Sequence, residues 1–393
     1  MNVDYGSRSY LSRDALGSQR LSSKAPVRHI DPFLVVSVML LTTFGCIAVR
    51  SASAQLLEAQ GEDPDRFLKR QLIFFSLATI AFGLTIIFDY RRFVPYTSFV
   101  YLGVMVLLLA VLTPMGQRVA GAQRWINMGI FQIQPAEIMK VAYIGFLATL
   151  LSRERTQEGL PQGIAPVIQA LAMAGAPALL IYFQPDLGTL MVLLAIAFAM
   201  LMVAGVQVRW LFVVVFAAVV IGGIALKFDV LHDYQVARLA SFLDNEADPG
   251  RTGYNLAQSK IAIGSGGFTG KGLGNGSQTN LAYVPEQRTD FIFTAIGEER
   301  GFIGAVVILA LFSILLWRCV RTAMLSKDLF GALVAGGVAA MFGFQLFVNV
   351  GMTIGIMPIT GIPLPFVSYG GSSLITSFVG VGLVMNIHMR RFV

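Results

Sequence analysis

The stretch FIGAVVILALFSILLW, Phe302 to Trp317, carries one hydroxyl and no charge in sixteen residues. As a helix it supplies most of the ~20 apolar residues that cross the hydrocarbon of a bilayer. Directly before it stands VPEQRTDFIFTAIGEERG, Val284 to Gly301, with Glu286, Arg288, Asp290, Glu298, Glu299 and Arg300. Lipid is therefore the solvent for this segment, and carboxylates gather at its edge.

The rest of the chain extends that reading. Hydrophobic residues make up 55% of the 393 positions and charged residues 13%, where an ordinary globular domain carries about 25% charged residues. Mean hydropathy is +0.70. One soluble core cannot hide that much apolar surface. Ten spans are predicted, near 32–54, 71–89, 95–113, 134–151, 164–183, 186–205, 208–226, 289–317, 329–352 and 370–388. The eighth is long because TDFIFTAIGEERG opens it, which reads as a shallow helix entering the membrane. The fold class is an all-α integral membrane protein of about ten transmembrane helices. A long extracytoplasmic loop lies between helices 7 and 8, and a re-entrant outer loop precedes helix 10.

The net charge of +7 resembles a nucleic-acid signal until it is mapped. Arg8, Arg13, Arg20, Lys24 and Arg28 lie in the tail, and Arg91, Arg92, Arg153, Arg155, Arg209, Arg318, Arg321, Lys327, Arg390 and Arg391 continue the same side. The opposite short loops hold only Arg66, Lys69, Arg70, Arg118 and Arg124. Fifteen against five places both termini in the cytoplasm, because basic residues in short loops set orientation. Residues 1–30 read as a disordered cytoplasmic tail with no cleavable signal, and 31–393 as one polytopic domain. Its 227–288 loop faces outside. No nucleic-acid partner is expected. Cys46 and Cys319 sit in apolar runs far apart, so neither a disulfide framework nor CxxC metal spacing is present.

Four outer stretches hold the unusual polar residues. In GAQRWINMGIFQIQPAEIMK, Gly121 to Lys140, Glu137 and Lys140 share a helix face and can pair. An ionisable pair inside a span locks helices together or lines a wet cavity, and the spacing fits both roles. In FQPDLGT, Asp186 follows Pro185 at a helix start, which helix capping explains. The long loop carries glycines at 250, 253, 264, 266, 267, 270, 272, 274 and 276. Its SGGFTGKGLGNG is no nucleotide loop, since Gly272 stands where Ser or Thr should follow Lys271. Exposed N–H groups beside Lys271 and Arg251 suit a phosphate cradle, and a flexible flap fits equally. PITGIPLPFVSYGGSS, Pro358 to Ser373, is the re-entrant candidate, since non-helical backbone at membrane depth needs protein or water around it. Thr289 and Asp290 have two readings: ordinary helix capping, or a general base that takes a proton from an attacking hydroxyl. Nearby Glu286, Glu298 and Arg288 favour the second.

Taken together, GAQRWINMG…QPAEIMK, QPDLGT, YQVARL…FLDNEADPG…GYN…QSKIAIGSGGFTGKG, VPEQRTDFIF…GEERGFIG and NVGM…MPITGIPLPFVSYGGSS resemble the SEDS family (shape, elongation, division and sporulation) of bacterial peptidoglycan polymerases. The likeness runs from about residue 32 to the end. VPEQRTDFIF and the HMRRF ending lean to the RodA branch rather than FtsW. Ala136 and Arg300 depart from the family's usual residues, and nothing in the sequence assigns Arg300 a role.

The resemblance implies a glycosyltransferase that joins lipid II into glycan strands at the outer face of the bacterial cytoplasmic membrane. It implies Asp290 as the catalytic aspartate and Glu137 and Lys140 as a buried cavity pair. It further implies cavity or loop-positioning roles for Asp186, Gln235 and Arg238. Arg124, Arg238, Lys271 and Arg288 are candidates to meet the leaving diphosphate, and a divalent cation, Mg2+ or Mn2+, could share that work. Glu286 keeps a covalent route open. The implied partners are a class B penicillin-binding protein (a transpeptidase), the elongation machinery, lipid II and the growing strand. A lipid II flippase and a scaffold without chemistry are the rival readings.

Overall fold

The structure is a computed structural model. It describes residues 29–119, 122–127, 129, 132–158, 163–227, 252–281, 283–284 and 286–392. Residues 1–28, Gln235 and Arg238 lie outside the described residues.

Eleven principal helices follow one another among the described residues: α1 Pro32–Ala59, α2 Arg66–Ile87, α3 Thr97–Leu112, α4 Pro135–Glu158, α5 Ala165–Tyr182, α6 Leu187–Ala204, α7 Val208–Lys227, α8 Thr252–Gly266, α9 Ile292–Met324, α10 Leu329–Ile354 and α11 Gly371–Arg390. A 3-10 segment, Tyr90–Tyr96, leads into α3. Nine helices among the described residues are long and apolar enough to cross a membrane, so the chain is a multi-pass membrane protein. The seventh predicted span, 208–226, falls on α7, whose described side chains give a shorter apolar run, Val208–Ala218.

Helix starts follow elementary capping. Asp31 accepts the N–H groups of Phe33 and Leu34 ahead of Pro32 at the first position of α1, and Asp328 accepts the Gly331 N–H at the start of α10. A carboxylate here satisfies donors that the helix leaves unpaired.

Burial sorts the helices into centre and periphery. In the spans of α11 and α4, 78% and 67% of residues are buried, against 11% in α2. Phe99, Val106, Phe212, Phe216, Phe302 and Trp317 are exposed, which suits a lipid-facing surface rather than water. Residues 355–370 close one end of the core. This loop is not helical, yet Ile362, Leu364, Phe366 and Val367 are buried. Phe366 packs its ring 5.2 Å from Phe342, 5.8 Å from Phe378 and 6.5 Å from Phe312. It holds φ at +66°, a conformation uncommon for a bulky residue. Packing from α9, α10 and α11 compensates for that conformation.

Two departures from expectation concern loops. The segment between α3 and α4 forms a three-stranded antiparallel sheet, β1 Gly116–Val119, β2 Ala122–Asn127 and β3 Gln132–Ile133. The loop 227–288 is not without its own elements either. It contains α8 and a single turn, Ser277–Asn280, with α8 packed on α9 and α10.

α9 breaks at Gly301, which has φ +63° and ψ −157°. The shallow opening helix is thus residues 292–300. A Cβ at Gly301 would sit 2.4 Å from the Gly270 nitrogen and 2.8 Å from the Phe268 carbonyl oxygen. Gly301→Ala is therefore expected to lower stability by about 1–3 kcal/mol from backbone strain alone, with the steric clash adding to it. A thermal-unfolding scan in detergent checks this; an unchanged midpoint would mean that the 266–272 backbone can move aside.

Charged contacts separate the two ends of the bundle. At one end Tyr90 donates to Asp328 at 2.5 Å, Arg390 pairs with Asp89 at 3.5 Å, and Arg318 pairs with Asp31. The Ser51, Arg124, Gln134 and Thr289 contacts described below lie at the other. Of the residues that charge counting assigned to one side, Arg91, Arg318 and Arg390 meet carboxylates at this end.

Candidate active site

The turn that carries Asp290 is built by its own backbone. Glu286 holds φ at +52°, and its carbonyl accepts the N–H groups of Thr289 and Asp290 at 3.1 Å and of Phe291 at 3.4 Å. The Thr289 hydroxyl also donates to that carbonyl, at 3.1 Å. The N-cap of α9 is Phe291, without a side-chain cap, and no acidic residue lies in the first turn. Thr289 and Asp290 therefore precede the cap rather than provide it.

Three consecutive carbonyls of this turn are held from outside. The Tyr369 N–H donates to the Arg288 carbonyl at 2.9 Å. The Ser368 hydroxyl donates to the Thr289 carbonyl at 2.5 Å and accepts the Leu364 N–H at 2.8 Å. Asn349 of α10 donates to the Asp290 carbonyl at 2.9 Å and to the Ile362 carbonyl at 2.7 Å. Gln71 of α2 donates to the Ser368 carbonyl at 3.3 Å. Asp290 is half-buried, at the mouth of a bundle whose loop and helices fix its backbone. Arg288 lies 4.2 Å from the centre of the Phe67 ring, a cation–π contact that keeps its guanidinium beside the turn. Glu286 is exposed.

The first turn of α11, directly after that loop, reaches the second acidic place. The Ser372 hydroxyl accepts the Gln134 N–H at 3.0 Å and donates to the Gln132 carbonyl at 3.2 Å. Pro135 then starts α4, and one turn on the Lys140 ammonium meets the Glu137 carboxylate at 2.8 Å. Their side chains are 2% and 4% exposed. Such a pair offsets the cost of desolvating either charge alone.

Asp186 and Arg124 organise the neighbouring turn. Asp186 accepts the Thr189 N–H at 3.1 Å and hydroxyl at 2.9 Å, and the Gln134 amide donates to it at 3.2 Å. Arg124 donates to the carbonyls of Gln184, at 2.9 Å, and Pro185. The capping reading of Asp186 thus has its bonds, and Arg124 points at backbone.

Lys271 stands in a separate cluster. Its ammonium meets Glu298 at 2.8 Å and the Ser277 hydroxyl at 2.8 Å. Glu298 is fully buried and also accepts the N–H groups of Gln278 and Thr279 at 2.9 Å. Glu299 accepts the Ser51 hydroxyl at 2.5 Å and the Gly274 N–H at 3.2 Å. The two glutamates of GEER therefore clamp the glycine-rich segment against α9 and α1. Backbone closeness requires the glycines: a Cβ at Gly270 would fall 2.2 Å from the Glu299 carbonyl oxygen.

No three His, Cys, Asp or Glu side chains stand together as a metal cage among the described residues. A divalent cation here would draw much of its coordination from substrate phosphates, as Mg2+ commonly does. No step is built on one.

Sequence reasoning did not single out Asn349, Ser368, Ser372 or Gln71. A signal existed for Asn349: it lies four residues after Gln345, on one face of an otherwise apolar span, where polar side chains mark function. Asn349→Ala would strip the Asp290 and Ile362 carbonyls of a buried donor, at about 1–3 kcal/mol. The expected result is a fall in turnover with KM for substrate nearly unchanged. Steady-state kinetics check it, and a pure KM effect would place Asn349 in substrate binding instead.

Residues 32–392 match the family FTSW_RODA_SPOVE, described as "Cell cycle protein". The chain is 38% identical over 366 residues to the probable peptidoglycan glycosyltransferase FtsW of Geobacter sp. (strain M18), covering 93% of this chain and 98% of that one. It is 37% identical over 369 residues to the peptidoglycan glycosyltransferase MrdB of Escherichia coli (strain K12), covering 92% and 94%. Among solved structures it resembles a chain from work on the structural coordination of polymerization and crosslinking by a peptidoglycan synthase complex. The TM-score is 0.77 at 30% identity, over 92% of this chain and 98% of the other.

Proposed function

The chain belongs to the FTSW_RODA_SPOVE family, and from that premise we propose that it polymerises lipid II into glycan strands at the outer face of the bacterial cytoplasmic membrane. It is a peptidoglycan glycosyltransferase. The observation that carries the mechanism is the fixing of three successive carbonyls, Arg288, Thr289 and Asp290, by Tyr369, Ser368 and Asn349.

A base held on such a turn is oriented before substrate arrives, which supports its role as Asp290 general base. The acceptor hydroxyl loses its proton to Asp290, its oxygen attacks C1 of the donor sugar, and the C1–O bond to diphosphate breaks with inversion. Arg288, beside the same turn, meets the charge developing on the diphosphate. Both lipid tails stay in the bilayer, which suits a site at the bundle's edge.

The basic residues gathered at the end with Arg318 and Arg390 support cytoplasmic termini, which leaves the Asp290 end outside. The partner in this reading is a class B penicillin-binding protein, in line with the synthase complex the chain resembles. Of the two branches, VPEQRTDFIF and HMRRF favour RodA-type work in cell elongation and shape. Expression in rod-shaped cells depleted of either polymerase distinguishes the branches: rescue of width supports elongation, and rescue of septation alone supports division.

The direct test uses purified protein with its partner transpeptidase and fluorescent lipid II. A ladder of glycan products on a gel is the expected result. Absence of a ladder together with lipid II translocation in vesicles would replace the polymerase with a flippase.

A further inference from the structure

The end of the bundle remote from Asp290 holds a second charged site. Asp31 is buried and spends one oxygen on the cap of α1 and the other on Arg318. Arg318 and Arg321 flank a single indole, 5.4 and 5.7 Å from the Trp317 ring. Beyond α11, Arg391 lies 4.4 Å over Phe392, whose ring stacks on His29 at 4.5 Å and meets His388 at 5.8 Å. Arg318 thus takes the Asp31 carboxylate, and Arg321 and Arg391 have no ion pair of their own with it. Burial holds the Arg391 guanidinium below its ordinary value, and the positive charges of Arg321 and Arg318 push it the same way, against Asp31.

Buried polar atoms of these residues, and of Thr322 next to Arg321 on α9, have no hydrogen-bond partner. Thr322 Oγ1, His388 Nδ1, and Arg391 Nε and Nη1 are buried without a hydrogen bond. Thr322 and His388 are 1% and 6% exposed, and His388 Nδ1 stands 4.0 Å from Asp31, beyond hydrogen-bond reach. Buried orphans of this kind call for a missing acceptor. Beside them Phe33, Trp317 and Val320 present exposed apolar side chains, where an acyl chain can lie.

We propose that Arg318, Arg321, Thr322, His388 and Arg391 form an anion site that binds a phosphate group, carried by an anionic membrane lipid or free in solution. Guanidinium forks match phosphate oxygens in pairs. Thr322 and the Nδ1–H tautomer of His388 supply neutral donors. The site is independent of the polymerase chemistry and would tie α1, α9 and α11 together at the membrane surface.

The test compares full-length wild type with Arg321→Gln/Arg391→Gln, which leaves the Asp31–Arg318 pair in place. Native mass spectrometry follows retention of phosphatidylglycerol against diacylglycerol with the same chains. Removing two guanidinium–phosphate contacts is expected to weaken phosphatidylglycerol about a hundredfold, and Arg321→Gln alone about tenfold. Arg92→Gln/Lys327→Gln removes equal charge from the same end and is expected to retain the lipid. A parallel thermal-shift series uses inorganic phosphate. Stabilisation by phosphate that only the Arg321/Arg391 variant loses, without lipid retention, assigns the site to free phosphate. Equal behaviour of all variants with both probes, or equal loss in the Arg92/Lys327 control, overturns the proposal.

Discussion

Asp290→Asn is expected to abolish glycan-ladder formation while the protein remains folded. The substitution keeps side-chain shape and removes the negative charge, and with it the capacity to take a proton. The backbone of the turn has holders besides this carboxylate. Its carbonyls are held by Tyr369, Ser368 and Asn349, and its N–H groups by Glu286. A general base contributes about 10²–10⁴ in rate, so residual product should fall below a gel's detection. Unfolding midpoint and co-purification with the partner transpeptidase serve as fold checks. Ladders of equal length from wild type and variant would remove Asp290 as the base. Glu286 would then be the next carboxylate to test, four residues earlier and exposed at the same turn.

The second large effect belongs to Glu137 and Lys140. Either charge left alone in a nearly dry interior costs about 3–5 kcal/mol. Lys140→Met and Glu137→Gln should each lower the unfolding midpoint markedly. The double variant removes both charges, and its stability should recover most of the loss. Activity separates the two roles given to the pair. A stable but inactive double variant means that the charges line the substrate cavity. A stable and fully active one would reduce them to a lock between helices. Ser372, which joins the first turn of α11 to the backbone just before α4, explains how damage at α4 could also reach the Asp290 turn.

Much of the fold was legible because lipid imposes simple rules. A span must be apolar along its length, and its backbone bonds stay within the helix. Hence 329–352 was read and Leu329–Ile354 is observed, and 370–388 became Gly371–Arg390. The small sheet at Gly116–Ile133 escaped because its strands are short and lack a clean alternation of polar and apolar residues. Helix α8 escaped because glycines crowd its C-terminal flank. Those glycines proved to be contact points: Gly266 would collide with the Gly297 carbonyl if it carried a Cβ.

The candidate site divides along the same line. Asp290, Arg288, Glu137, Lys140 and Asp186 could be picked from the sequence because ionisable groups beside apolar runs are costly and conspicuous. Lys271 was conspicuous for the same reason, yet the tertiary structure commits it to Glu298. Asn349, Ser368 and Ser372 were silent because neutral polar residues gain meaning only from what faces them. By itself the sequence determined the solvent, most of the spans and the charged residues available for chemistry, since each follows from local composition. Apart from Glu137 and Lys140, three residues apart on one helix, only the tertiary structure decided which charge pairs with which, and which loop holds the turn of Asp290. Those choices depend on contacts between residues tens to hundreds of positions apart, and short-range patterns carry no record of them.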